Sequence, residues 1–175
     1  MKKGGIKNEK TNQKEGDYMT VFCPYKAEQV LYPECQECES RSFCSSENIF
    51  ALLVAGSRSV TDEKLVYTCL DRLLSNVKNK YDKVLIVEGG ARGADEIAGR
   101  YARERGYLLK VMPADWNKYG KAAGYIRNKS MHELIAKYKH RGCVLFWDGK
   151  SKGTQHNFEL AETYKTAIRI IRTDK

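Results

Sequence analysis

Long apolar runs are missing from this chain. The longest, such as Ile49 to Ala55, are far too short to cross a bilayer, and no apolar h-region follows the Lys-rich start. Neither a membrane span nor a signal peptide is expected. A cytoplasmic location follows as an expectation, with cysteines reduced or metal-bound. Histidine is scarce as well. His132, His140 and His156 are the only three, they show no metal-ligand spacing, and Asp148 has no paired histidine, so a Ser–His–Asp nucleophile system has no support. Two common nucleotide fingerprints are also absent: residues 148–154 lack the GxxxxGK[ST] arrangement, and residues 89–94 lack the GxGxxG spacing. There is no internal repeat and no low-complexity tract. What remains is the composition of a soluble globular chain, 42% hydrophobic and 30% charged in 175 residues. That length suits one compact domain with a small appendage.

The net charge of +9 is unevenly shared. Residues 1–49 carry 7 basic and 8 acidic residues, whereas residues 50–175 carry 24 and 14. A basic globular domain attracts phosphate-bearing partners, from nucleotides up to nucleic acid. Several of its lysines, such as Lys78, Lys80, Lys137 and Lys139, fall at expected helix ends, where a cation is favoured in any case. Charge alone therefore does not make this a DNA-binding protein.

Residues 1–18 hold a single aliphatic residue, Ile6, too little to offset the entropy of ordering, and are expected to be disordered. Residues 19–48 contain four of the six cysteines and little periodicity. From residue 49 to 175 strands and helices alternate. Strands are expected over Phe50–Gly56, Lys83–Glu88, Tyr107–Met112, Cys143–Trp147 and Ala167–Ile171. The helix after Thr61-Asp62 carries Leu65, Val66, Cys69, Leu70, Leu73 and Leu74 at helical spacing. Further helices are expected over Ala94–Arg105, ending at Gly106, over Ala122–Lys139, and from Thr154. The fold class is α/β: a Rossmann-like open parallel sheet of about five strands with helices on both faces, plus a small Cys-rich N-terminal module.

Residues 84–95, Val-Leu-Ile-Val-Glu-Gly-Gly-Ala-Arg-Gly-Ala-Asp, are the most telling stretch. A buried strand runs into a carboxylate, then into three glycines within five positions, then into a helix. Such a turn lets a ligand approach the backbone, and the free N–H groups of the helix start suit a phosphate. Gly153-Thr154 offers a second strand-to-helix turn of this kind. In parallel sheets ligands bind beyond the carboxyl ends of the strands. Gly56-Ser57-Arg58, Glu88 to Asp95 and Asp148 to Asn157 should therefore line one crevice. A tight turn without a ligand is the competing reading of each.

The motifs Gly56-Ser57-Arg58, Glu88-Gly-Gly-Ala-Arg-Gly-Ala-Asp95, Pro113-Ala-Asp-Trp116, Gly120-Lys-Ala-Ala-Gly124, Arg127-Asn128 with Met131, and Gly153-Thr154 occur in that order. Together they resemble the SLOG superfamily, which joins the Smf/DprA DNA-processing proteins with the LOG-type phosphoribohydrolases. The similarity is greatest to its YspA/YpsA-related branch, small proteins often carried by bacteria and phages. The resemblance spans about residues 49–172 and implies a pocket for a nucleotide or nucleotide-derived ligand. The ligand-binding set it implies is Gly56, Ser57, Arg58, Glu88, Gly89, Gly90, Arg92, Gly93, Ala94, Asp95, Trp116, Arg127, Asn128, Gly153, Thr154 and Asn157. Arg58 and Arg127 suit phosphate as fork donors, and Trp116 and Tyr119 either stack on a base or pack over the loop.

Hydrolytic members carry Arg-Lys-x-x-Met and Pro-Gly-Gly-x-Gly-Thr-x-x-Glu elements. Here Asn128 stands for the lysine, Asp148-Gly149-Lys150 replaces the Pro-Gly-Gly start, and Asn157 occupies the position of the catalytic glutamate. Cleaving an N-glycosidic bond needs a carboxylate beside an oxocarbenium-like centre, and asparagine neither carries charge nor takes a proton at neutral pH. The first expectation is therefore a binding protein, a sensor or a sequestering protein for a signalling nucleotide, and a homo-oligomer. A nucleotide hydrolase with a relocated carboxylate is the alternative, with Arg127, Glu88 and Asp95 as catalytic candidates and Glu159 as a further carboxylate nearby. A DprA-like nucleic-acid binder is the third.

Cys23, Cys35, Cys38 and Cys44 form a separate constellation, C-x11-C-x2-C-x5-C. Four thiolates in so short a segment suit a structural zinc site that supplies folding energy. An iron–sulfur cluster, free thiols or a disulfide are the other readings. Cys69 and Cys143 lie in core patterns and are expected to be buried small hydrophobes.

Overall fold

The computed structural model describes residues 20–24, 26–31 and 48–174. In chain order a hairpin of β1 (Thr20–Cys23) and β2 (Glu28–Leu31) comes first. Then follow β3 (Ile49–Gly56), α1 (Glu63–Leu74), β4 (Lys83–Glu88), α2 (Ala94–Glu104) and β5 (Leu108–Val111). The second half is α3 (Trp116–Tyr119), a 3-10 turn at Gly120–Ala122, α4 (Ala123–Ile135), β6 (His140–Trp147), α5 (Lys152–Thr163) and β7 (Ala167–Arg172). Strands β3 to β7 form one sheet in the order β5-β4-β3-β6-β7, every neighbour parallel.

The central strands β3, β4 and β6 are buried on both faces, and the period-2 alternation of side chains decides which residue meets which helix layer. In β3, Leu52 and Val54 point into a cluster with Val66, Leu70 and Leu74 of α1 and Ile97, Ala98 and Tyr101 of α2. Ala51, Leu53 and Ala55 point the other way, onto Met131, Leu134 and Ile135 of α4 and Ala161 of α5. The chain winds outward from β3 through β4 to β5 under α1 and α2. It then crosses to the far side of β3 and winds through β6 to β7 under α4 and α5. The switch lies between β3 and β6, so their carboxyl ends open a crevice.

The five expected strands are all present. β6 begins three residues earlier than expected, at His140, and α4 stops at Ile135 rather than Lys139. Asp62 caps α1 by accepting the Leu65 N–H at 2.9 Å, and Gly106 follows α2 at φ +67. Cys143 is buried as expected, whereas Cys69 is only partly buried, packed against the edge of the core.

The hairpin was not legible in the sequence, because four-residue strands carry too little pattern. Its turn docks on the domain. The Tyr138 hydroxyl donates to the Pro24 carbonyl at 2.7 Å, Ala27 joins the core beneath α4, and Glu28 pairs with Lys110 of β5 at 3.3 Å. Order in this hairpin thus has a source other than metal. Cys23 is buried there and its Sγ accepts the Lys26 N–H at 3.5 Å. Cys35, Cys38 and Cys44 lie outside the described residues, as do residues 1–18. Among the described residues no cluster of three or more metal-ligating side chains occurs, and no helix is long and apolar enough to cross a membrane.

Candidate functional site

A cleft of about 500 Å³ opens at the carboxyl ends of β3 and β6. Its β3 side is Ala55, Gly56, Arg58 and Ser59, and its β6 side is Asp148, Ser151, Gly153 and Thr154. Ala91 and Asp95 reach it from the glycine-rich turn, α3 supplies Trp116, the 3-10 turn Lys121, and α4 Gly124, Tyr125, Arg127 and Asn128. Asn157 of α5 completes the lining. Nine of the sixteen expected ligand-binding residues therefore meet here: Gly56, Arg58, Asp95, Trp116, Arg127, Asn128, Gly153, Thr154 and Asn157.

The other seven sit elsewhere, and the reason is packing. Ser57 is buried and ties the two strand ends together: its N–H donates to the Phe146 carbonyl at 2.8 Å, and its hydroxyl accepts the Asp148 N–H at 3.1 Å. Glu88, Gly90 and Arg92 line a smaller hollow of about 260 Å³ outside the cleft, with Glu96, Gly99 and Arg103. Gly89, Gly93 and Ala94 are spent on the chain itself. A Cβ on Gly93, at φ +84, would lie 2.6 Å from the Ser57 carbonyl oxygen. A Cβ on Gly89 would collide with the Arg127 guanidinium.

The glycine-rich turn is closed by Asp95 together with Arg127 of α4. Asp95 is buried, and its Oδ2 accepts the Gly89 N–H at 3.2 Å and the Arg127 Nη1 at 3.3 Å. Arg127 Nη1 also donates to the Gly89 carbonyl. Burial raises the Asp95 carboxyl above its ordinary value, while Arg127 and the N–H groups of Ala91, Gly89 and Gly56 oppose that. Donors expected to face a phosphate thus already hold a carboxylate. Burial likewise pushes Glu88 up to about 7, against the bond it accepts from the Gly90 N–H at 2.5 Å.

The second turn is built differently. Asp148 Oδ1 accepts the N–H groups of Lys150 (3.0 Å) and Ser151 (2.8 Å), and its Oδ2 accepts the Ser59 hydroxyl at 2.9 Å. Burial alone would raise this carboxyl; the hydrogen bonds outweigh it and hold Asp148 below the usual carboxylate range. Ser151 caps α5 by accepting the Thr154 N–H at 3.3 Å. The N–H groups of Lys152 and Gly153, in the first helical turn, are left without intrahelical partners. Gly153 faces the cleft, and the nearest atom to a Cβ there would be Ser151 Oγ at 4.0 Å.

Beneath the cleft lies a buried polar floor, of which the sequence pointed to Asn128 and Asn157 but not to His132. Asn128 and Asn157 both donate to the Gly153 carbonyl, at 3.1 and 3.2 Å, and each has a buried side-chain oxygen without a partner. Beside them His132 is buried with neither ring nitrogen in full hydrogen-bonding geometry, and burial presses its pKa down to about 4 against the opposing effect of the neighbouring Asn157 side chain. Ser59, Lys121, Tyr125, Asp148 and Ser151 were also absent from the expected ligand set. The signal for Lys121 and Tyr125 was their place in and beside the Gly120–Gly124 motif.

Comparison with known proteins places the chain in a family. A model of the family described as "YAcAr: YspA, cpYpsA-related SLOG family" matches residues 50–119. The Gene 61 protein of Mycobacterium phage D29 is 35% identical over 125 residues, covering 69% of this chain and 93% of that protein. The chain belongs to the YspA, cpYpsA-related SLOG family. Among solved structures, DNA processing protein A (DprA) from Streptococcus pneumoniae aligns with a TM-score of 0.47 and 19% identity over 71% of this chain. The chain spans half the length of that protein.

Proposed function

We propose that this SLOG domain binds a phosphate-bearing, nucleotide-derived ligand in the cleft between β3 and β6, as a sensor or a sequestering protein. The observation that carries the reading is the open start of α5. Unpartnered backbone donors at Gly153, with the positive end of the helix dipole, face a cleft that also holds Arg58 and Lys121. Asn128 and Asn157 line the floor of that cleft, each with a buried side-chain oxygen that has no partner. Family membership supports the same ligand class. Calorimetry with a panel of mono-, di- and cyclic nucleotides should detect binding. Arg58→Ala should weaken it by about 1.5–3 kcal/mol, as expected for a hydrogen bond to a charged group. Arg127→Ala is the poorer probe, because it also strips Asp95 of its partner. No binding across the panel would overturn the reading.

A hydrolase reading keeps one specific support: Asp95 is a buried carboxyl that lines the cleft, whereas Glu88 lies outside it. Its engagement by Arg127 and the turn, together with Asn157 at the glutamate position, argues for binding over turnover.

We also propose that Cys23, Cys35, Cys38 and Cys44 hold one structural zinc ion. Support comes from the spacing and from the Lys26 N–H aimed at the Cys23 sulfur. Elemental analysis of protein purified without chelator should find about one zinc per chain. Less than about a tenth of an equivalent of zinc, or iron in its place, would remove the proposal.

A further inference from the structure

Six large hydrophobic side chains are exposed among the described residues, and five of them fall between residues 111 and 126. Two of the five, Trp116 (50% exposed) and Tyr125 (48%), line the cleft. Both are held in place despite their exposure. The Arg58 guanidinium carbon lies 5.9 Å from the Trp116 ring centroid. The far edge of the Trp116 ring comes within 3.4 Å of where a Cβ on Gly124 would be, so the indole lies against the start of α4. Tyr125 meets His156 of α5 edge to face, with centroids 4.7 Å apart at 65°. Rigid aromatic rings cost little conformational entropy on binding and offer a face to any planar base. Cations at Arg58 and Lys121 accompany them, and Lys121 lies between the two rings in the chain.

We infer that the mouth of the cleft takes two planar bases joined through phosphate, one on Trp116 and one on Tyr125. This rests on the nucleotide-binding reading above and narrows it, since a mononucleotide brings one base and leaves the second ring uncovered. The shared chemistry is a dinucleotide unit, whose sources are a free dinucleotide or the end of a single strand.

The test compares three probes on the full chain by calorimetry: AMP, diadenosine 5′,5′-pyrophosphate, and a 5′-phosphorylated oligodeoxyadenylate of about ten nucleotides. Both two-base probes should bind between about five- and a hundredfold more tightly than AMP, the gain of stacking one further base. Trp116→Ala and Tyr125→Ala should each bring the two-base probes to within about threefold of AMP measured on the same variant. An oligonucleotide preferred over the pyrophosphate, with a steep fall in salt, identifies a strand as the source; equal or weaker binding identifies a free dinucleotide. AMP binding with no advantage for two bases overturns this inference and leaves the parent reading intact. No binding of any probe overturns both. A self-associated species weakened by Trp116→Ala, with no two-base advantage, assigns the rings to a second copy of the chain and also overturns it.

Discussion

The two strand-to-helix turns at the sheet's carboxyl edge contain similar residues and are hydrogen-bonded in opposite ways. Residues 89–95 hold three glycines, an arginine and an aspartate; residues 148–154 hold two glycines, two lysines, an aspartate and two hydroxyls. In the first, Asp95 folds back on the Gly89 N–H and binds Arg127, so the turn satisfies its own donors. In the second, the aspartate serves the loop before the helix, and the helix start is left open toward the cleft. Glycine content therefore does not tell a ligand cradle from a packing joint. What decides is whether a carboxylate sits where the ligand would.

The largest expected effect comes from adding one methyl group to each turn. Gly93→Ala forces a positive φ on a side chain and drives a Cβ into the Ser57 backbone, so it should destabilise the fold by about 2–5 kcal/mol. Gly153→Ala meets open space at a helical position and should leave stability within about 1 kcal/mol. Urea unfolding of both variants is the check. Equal losses would erase the distinction between joint and cradle.

A smaller effect separates the two carboxylates by pH. Burial raises Glu88, beside the first turn, from 4.5 to about 7. The folded state then keeps a proton that the unfolded chain releases. Its contribution is complete below about pH 4.5 and is lost as pH rises toward about 7. Asp148 is lowered from 3.8, so its contribution is present above that value and is lost as pH falls below it. Glu88→Gln should therefore gain on the wild type as pH rises from about 4.5 to about 7. Asp148→Asn should close on the wild type only in strong acid. His132, held down to about 4 by burial, costs stability as pH falls from 6.5, so the informative quantity is the difference between variant and wild type at each pH.

The sheet was readable because apolar alternation and helix caps are local signals. Val84-Leu85-Ile86-Val87 and the Asp62 cap need no knowledge of distant residues. The crevice was readable too, since a parallel sheet sends all its strand ends to one edge. The division of labour within it was not. That Asp95 closes its own turn depends on Arg127, 32 residues away on another helix. That Ser57 is a tie between strands depends on Asp148, 91 residues away. Asn128 and Asn157 were legible through the motifs that carry the family resemblance, but His132 beside them was not, because an isolated polar residue on a helix looks like a solvent-facing position until the helices are packed together.

The central claim is that phosphate sits at the start of α5 and not on the glycine-rich turn. Titrating isotope-labelled protein with AMP and following backbone amide shifts addresses it residue by residue. The account predicts that the Lys152, Gly153 and Thr154 amides move most, while those of Gly89, Gly90 and Gly93 stay near their unbound positions. Large shifts at residues 89–93 with none at residues 152–154 would contradict it.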